Sequence, residues 1–145
     1  MSTVRKLRRV GGSASKIGYY LMPSKNWLDA VEKEEGKKIL SFTVQDEEHT
    51  LVLMPLFENP PVEAPHNSSP EQVIMMLRKG TLISKLREIH KGKHVSRIIN
   101  IPRVWVREKE QWHKSKVIGL RLTVKSRSII IIPIFAHKKI NSSPR

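Results

Sequence analysis

The sequence has no cysteine, which excludes disulfides and thiolate-bound zinc. It has no run of 18 or more apolar residues, and its basic first residues lead into no apolar signal region. A soluble, cytoplasmic chain is therefore expected. Signatures of catalysis are equally sparse. There is no thiol nucleophile, and Gly11-Gly12-Ser13 lacks the lysine that a phosphate loop places at its helix entry. His90 and His94 are four apart, but they flank an expected turn rather than share a helix face, and no third metal ligand lies nearby. They join the basic surface instead. These residues predict no enzymatic activity, no cofactor and no metal.

Acids are the other shortage. Lys and Arg number 27 against 13 Asp and Glu, a net charge of +14. The excess is uneven: residues 1–57 hold 9 cations and 7 acids, residues 58–80 hold 2 and 3, and residues 81–145 hold 16 and 3. Residues 1–25 contain Arg5, Lys6, Arg8, Arg9, Lys16 and Lys25 with no acid, whereas Asp29, Glu32, Glu34, Glu35, Asp46, Glu47 and Glu48 come later. A basic front and a mixed or acidic back predict one face turned to a polyanion. Glu32, Glu34 and Glu35 read as a solvated helix face.

What the chain does contain is a repeat. Residues 4–57 recur at 83–135. A shift of 79 pairs Lys6 with Lys85, Leu7 with Leu86, Arg8 with Arg87, Val10 with Ile89, and Pro23 with Pro102. A shift of 80 pairs Thr43-Val44 with Thr123-Val124, and a shift of 78 pairs MPLF at 54–57 with IPIF at 132–135. Landmarks kept through short insertions mark a structural unit used twice. One unit of about 55 residues is marginal alone, so the two are expected to form one body.

Each unit reads in the same order. Val4, Leu7 and Val10, like Ile83, Leu86 and Ile89, are spaced ambiguously, but the turn signals Gly11-Gly12-Ser13 and Lys91-Gly92-Lys93 follow at equivalent places. The β-branched and aromatic stretches at 17–23 and 97–102 then read as strands closed by proline. A short helix is expected over Trp27–Lys33, with Asn26 as N-cap and Gly36 as its end, and another over Val104–Trp112. Trp27, Trp105 and Trp112 read as core anchors. A hairpin closes each unit: Leu40, Phe42 and Val44 alternate with polar residues, as do Leu120, Leu122 and Val124. The returning strands LVLMPLF and IIIIPIF are apolar enough to predict burial on both faces. Pro55 and Pro133 predict a strand end, bulge or edge.

Between the units, residues 58–69 form a Pro-rich linker, and Ser69-Pro70-Glu71-Gln72 is a capping-box start for a helix that Gly80 ends. The expected organisation is 1–57 as repeat 1, 58–80 as linker plus helix, 81–136 as repeat 2, and 137–145 as a basic tail. The fold class is mainly β with short helices.

The order basic strand, Gly-containing loop, strand ending in proline, short helix and hairpin, seen in VRKL…IGYYLMPSKNWL and again in ISKLRE…RIINIPRVWV, resembles the AbrB/MazE/SpoVT family of swapped-hairpin DNA-binding domains. The resemblance implies a tandem AbrB-like β-barrel made of two interlocked units, here an intrachain pseudo-dimer. It also implies double-stranded DNA as the partner, contacted by Arg5, Lys6, Arg8, Arg9 and Lys16 in the first unit. In the second unit it selects Lys85, Arg87, Lys91, Lys93 and Arg97. The loop at Gly11-Gly12-Ser13-Ala14 is longer and less charged than the family's usual acidic loop.

A cytoplasmic, nucleoid-associated transcriptional regulator is therefore expected, with unequal halves and an imperfectly palindromic site. Two alternatives stay open: an antitoxin-like protein that also binds a toxin-like partner, and a non-specific architectural nucleic-acid binder. Homodimerisation stays open as well.

Overall fold

The computed structural model describes residues 2–6, 8–10, 18–58 and 69–136, with side chains from Tyr19 onward. The linker 59–68 and the tail 137–145 lie outside the described residues. The described elements run β1 (Ser2–Lys6), β2 (Arg8–Val10), β3 (Gly18–Leu21), α1 (Lys25–Glu35), β4 (Ser41–Glu47) and β5 (Thr50–Leu56) in the first unit. After α2 (Pro70–Lys79), the second unit runs β6 (Leu82–Lys91), β7 (His94–Ile101), α3 (Arg103–His113), β8 (Val117–Val124) and β9 (Ile129–Phe135). The protein is mainly β, a curled antiparallel sheet with three short helices among the described residues. No helix among them is long and apolar enough to cross a membrane.

The sheet order is β1-β8-β9-β5-β4-β6-β7-β3-β2, and it interlaces the two units. The first half of β6 pairs with β4 of the other unit, from Val44 opposite Leu82 to Ser41 opposite Lys85. Its second half turns into its own hairpin with β7, from Leu86 opposite Ile99 to Lys91 opposite His94. The first unit does the same: β1 pairs with β8 of the second unit, and β2 pairs with its own β3. Two further pairings join like with like across the units, β3 with β7 and β5 with β9. The two ends of the sheet order, β1 and β2, are neighbours in the chain with one residue between them.

The registers correct the alignment read from sequence. α1 and α3 begin at Lys25 and Arg103 and end in left-handed caps at Gly36 and Lys114, a constant offset of 78. Pro55 lies opposite Phe42 and Pro133 opposite Leu120, again 78 apart on both strands. Thr43 thus corresponds to Arg121, not Thr123. A shift of two residues keeps every side chain on its face, so strand alternation cannot separate an offset of 78 from one of 80. Pro102 stands where Ser24 stands, not Pro23, as the N-cap of its helix. The first strands keep the offset of 79, since Lys6 faces Gly119 as Lys85 faces Ser41. The one-residue difference falls between β2 and β3, the counterpart of the step from β6 to β7.

Inward residues of the closing hairpins build the core: Phe42, Leu51, Leu53, Leu120, Ile129 and Ile131 are all fully buried. Both prolines are tolerated because β5 and β9 pair only over residues 51–53 and 129–131. Beyond that crossing, each strand is an edge on the side where Pro55 or Pro133 lacks an N–H. The expectation of burial on both faces fails, since Met54 and Ile132 are 44% and 40% exposed.

Helix ends follow their local chemistry. Ser24, rather than Asn26, caps α1, its hydroxyl accepting from the Trp27 N–H at 3.4 Å. Ser69 and Gln72 form the expected capping box on α2. Glu32 reaches past the end of α1 to accept from the Ile39 N–H at 2.8 Å, and Glu110 does the same for Val117 at 2.9 Å. The left-handed cap is a glycine in α1 but Lys114, at φ 59, in α3. A side chain is strained there, so Lys114→Gly should raise stability by up to about 1 kcal/mol, read from the denaturant midpoint at unchanged slope.

Each unit's hairpin turn also grips the other unit's helix. The Trp27 indole N–H donates to the Lys125 carbonyl at 2.7 Å, and Arg127 donates to Glu35 at 2.8 Å and Glu34 at 3.2 Å. These carboxylates, with the Glu35 hydrogen bond foremost, raise the Arg127 pKa above its ordinary value. Across the pseudo-two-fold, the Trp105 indole donates to Asp46 at 3.3 Å. Lys109, only 2% exposed, donates to Asp46, Glu108 and His49, each at 3.1 Å. His49 and Glu48 form a tight turn with both φ values positive, 68° and 48°, and His49 stacks on Trp112 at 3.8 Å. Trp112 is 55% exposed, so it clamps a turn and is no core anchor; Trp105 is the buried one.

Candidate nucleic-acid interface

The β6–β7 hairpin carries four of the ten residues selected from sequence on an exposed surface. Strand alternation explains the arrangement. Leu82 is buried, the Ser84 hydroxyl donates to the Asn100 carbonyl at 3.0 Å, and Leu86 packs on the core, which turns these residues inward. Lys85, Arg87 and Lys91 therefore share the opposite face, and all three are exposed. With a strand rise of about 3.4 Å per residue, Lys85 and Arg87 are about 7 Å apart, and the row from Lys85 to Lys91 is about 20 Å long. Lys93 follows in the two-residue turn, whose first residue, Gly92, takes the positive φ of 60° that side chains resist. Among the described residues, Arg87, Lys91 and Lys93 have no ion-pair partner.

Arg97 is differently placed. Its side chain is 17% exposed, and its guanidinium donates to Glu32 at 2.8 Å and to Asp29 at 3.1 Å, both on α1. Arg97 ties the second unit's hairpin to the first unit's helix and has little left to offer a ligand. The acids of α1 are only partly the expected solvated face: Glu34 and Glu35 are exposed, whereas Glu32 is largely covered. Asp29 and Glu32 hold Arg97, and Glu34 and Glu35 hold Arg127. Part of the charge difference between the units is thus internal complementarity.

In the first unit, Arg5 and Lys6 lie on β1 and Arg8 and Arg9 on β2, by backbone. Lys16 and the loop at Gly11-Gly12-Ser13 lie outside the described residues. The pairing of β3 with β7 joins the two opening hairpins edge to edge, with Tyr20 opposite Asn100, so their basic strands belong to one continuous stretch of sheet.

Sequence reasoning missed Arg103 and Asn100. An open groove of about 720 Å³ runs between β6–β7 and the start of α3, lined by Lys85, Arg87, Asn100 and Arg103 with Val73 and Ile83. The Asn100 Oδ1 is buried with no hydrogen-bond partner among the described residues. The first turn of α3 has neither a side-chain cap nor an acid of its own, and its positive end lies beside this groove. The available signal was Arg103 itself, directly after a strand-ending proline; the sequence alignment placed the helix start one residue later.

His90 pairs with Glu88 at 3.4 Å, both exposed, and no cluster of three or more His, Cys, Asp or Glu among the described residues could hold a metal. Compared with protein-family models, with curated proteins and with solved structures, the chain matches none.

Proposed function

We propose that this chain is a double-stranded DNA-binding regulator of the AbrB/MazE/SpoVT swapped-hairpin kind, cytoplasmic and nucleoid-associated. Its two units would build, within one chain, the barrel that such proteins make from two. The exchange of β1 and β6 between the units supports that architecture. The observation that carries the functional reading is the β6–β7 hairpin, where Arg87, Lys91 and Lys93 are exposed and have no ion-pair partner among the described residues, whereas Arg97, Lys109 and Arg127 are held by cross-unit ion pairs.

In this reading Lys85, Lys91 and Lys93 contact phosphates and set the register of the protein on the duplex. Arg87, in the middle of the row, presents the planar fork that suits a guanine edge in the major groove. Arg5, Lys6, Arg8, Arg9 and Lys16 serve the first half-site. Because the second unit is the more basic, the two half-sites differ.

Binding to duplex DNA across a salt series tests the proposal. Each neutralised phosphate adds about 0.9 to the magnitude of the slope of log affinity against log salt, and a slope near zero would sink the reading. Lys91→Ala should flatten that slope by about 1, whereas Arg87→Ala should weaken binding by about 1–3 kcal/mol and relax sequence preference. Arg97→Ala should lower the melting temperature and leave the slope unchanged, since its guanidinium already serves Asp29 and Glu32.

A further inference from the structure

The closing strands carry more apolar side chains than the fold buries. Leu51, Leu53, Ile129 and Ile131 fill the core, and the alternate residues Val52, Met54, Ile130 and Ile132 stand on the outer face. Scattered exposed apolar residues are ordinary, but a contiguous set on two adjacent strands is a candidate interaction surface. This set has an internal symmetry. Val52 and Ile130 are direct Cα partners and stand 78 residues apart, so the pseudo-two-fold passes between them. Met54 and Ile132, also 78 apart, lie two residues to either side. Both units keep a large exposed apolar residue at the same place, as they do again at Leu40 and Ile118.

We propose that this face docks a second copy of the chain, sheet against sheet, about a two-fold axis running along β5 and β9. A surface that already carries two-fold symmetry is suited to an isologous contact, in which each patch meets itself. The flanking charges choose the axis. On the same outer face Glu47 lies on the β4 side, while Arg121 and Lys125 lie on the β8 side. Turning one copy over along the strands lays β8 of one copy over β4 of the other and sets Arg121 against Glu47. The large Met54 and Ile132 then meet the small Ser128 and Thr50. Turning it over across the strands would instead set Arg121 against Lys125, two like charges. The dimer does not depend on the DNA reading, and its test involves no DNA.

Sedimentation of the full chain over a concentration series up to about 1 mM decides the matter. The expected species at the upper end has twice the 16.7 kDa chain mass. Met54→Asp with Ile132→Asp should weaken association by at least about 100-fold, with circular dichroism unchanged, because both side chains are solvent-facing in the single chain. Glu47→Arg alone should also weaken it, and Glu47→Arg with Arg121→Glu should restore it. A chain that stays at 16.7 kDa throughout would leave this face to some other partner and overturn the proposal. So would a dimer that survives the paired aspartates, and failure of the charge exchange to restore association would overturn the docking axis.

Discussion

Separated from each other, the two units should not fold. Fragments 1–63 and 64–145, produced singly, are expected to show no cooperative unfolding transition. Produced together, they should copurify as a one-to-one complex that melts cooperatively. The reason lies in what each unit lends the other. Without its partner, β6 loses the hydrogen bonds of its first half to β4, and β1 loses its only described pairing, with β8. The Trp27 indole loses the Lys125 carbonyl, and Arg97, Arg127 and Lys109 lose carboxylates that lie on the other unit. A unit of this size buries too little surface to absorb such losses. For the same reason, proteolytic cleavage between Asn59 and Asn67 should leave two fragments that elute as one particle until denaturant is added. A cooperative transition in either fragment alone would contradict the interlaced fold.

The second large effect is expected at Lys109. Its ammonium is 2% exposed and held by Asp46, whose side chain is 10% exposed. Asp46→Ala would leave a buried cation short of its main counter-charge and strip the Trp105 indole of its acceptor. A loss of about 3–5 kcal/mol is expected, a large share of the stability of an ordinary domain. The other half of the molecule shows what can replace the pair. At the positions 78 residues away, Lys109 is matched by Val31 and Asp46 by Val124, and Val31 is buried. Lys109→Met combined with Asp46→Val should therefore recover most of the loss caused by Asp46→Ala, since well-packed apolar residues often equal a buried ion pair. Urea unfolding of the two variants beside the unaltered chain checks this, and a double variant as unstable as Asp46→Ala would show that the pair adds more than it costs in desolvation.

Much of this fold could be read from the chain because it follows from local rules. The capping box at Ser69, the left-handed glycines at 36 and 80, and the alternation in β4 and β8 each depend on a few consecutive residues. The duplication was legible for the same reason. What escaped depends on partners distant in sequence. An offset of 80 satisfied the in–out pattern as well as 78, and only the pairing of Pro55 with Phe42 and of Pro133 with Leu120 distinguishes them. Arg97 could not be told from Lys91 or Lys93 by composition. It takes the approach of α1 across the unit boundary to show that its charge is already used. Trp112 looked like Trp105, yet one clamps His49 at the surface and the other is fully buried. The ion pairs of the α1 acids could not be read from sequence because their cations lie 65 or more residues away.

Arg97 and Arg127 are committed to carboxylates of the first unit, so on the proposed reading it is the exposed Arg87, Lys91 and Lys93 that would face the nucleic acid. The most direct measurement is selection of bound molecules from a random pool of DNA duplexes, with structured RNA and single-stranded DNA as competitors. An enriched duplex motif with two unequal half-sites, lost in Arg87→Ala, is the predicted result. Binding that enriches no motif, or that single strands and RNA compete away equally, would contradict a sequence-reading regulator.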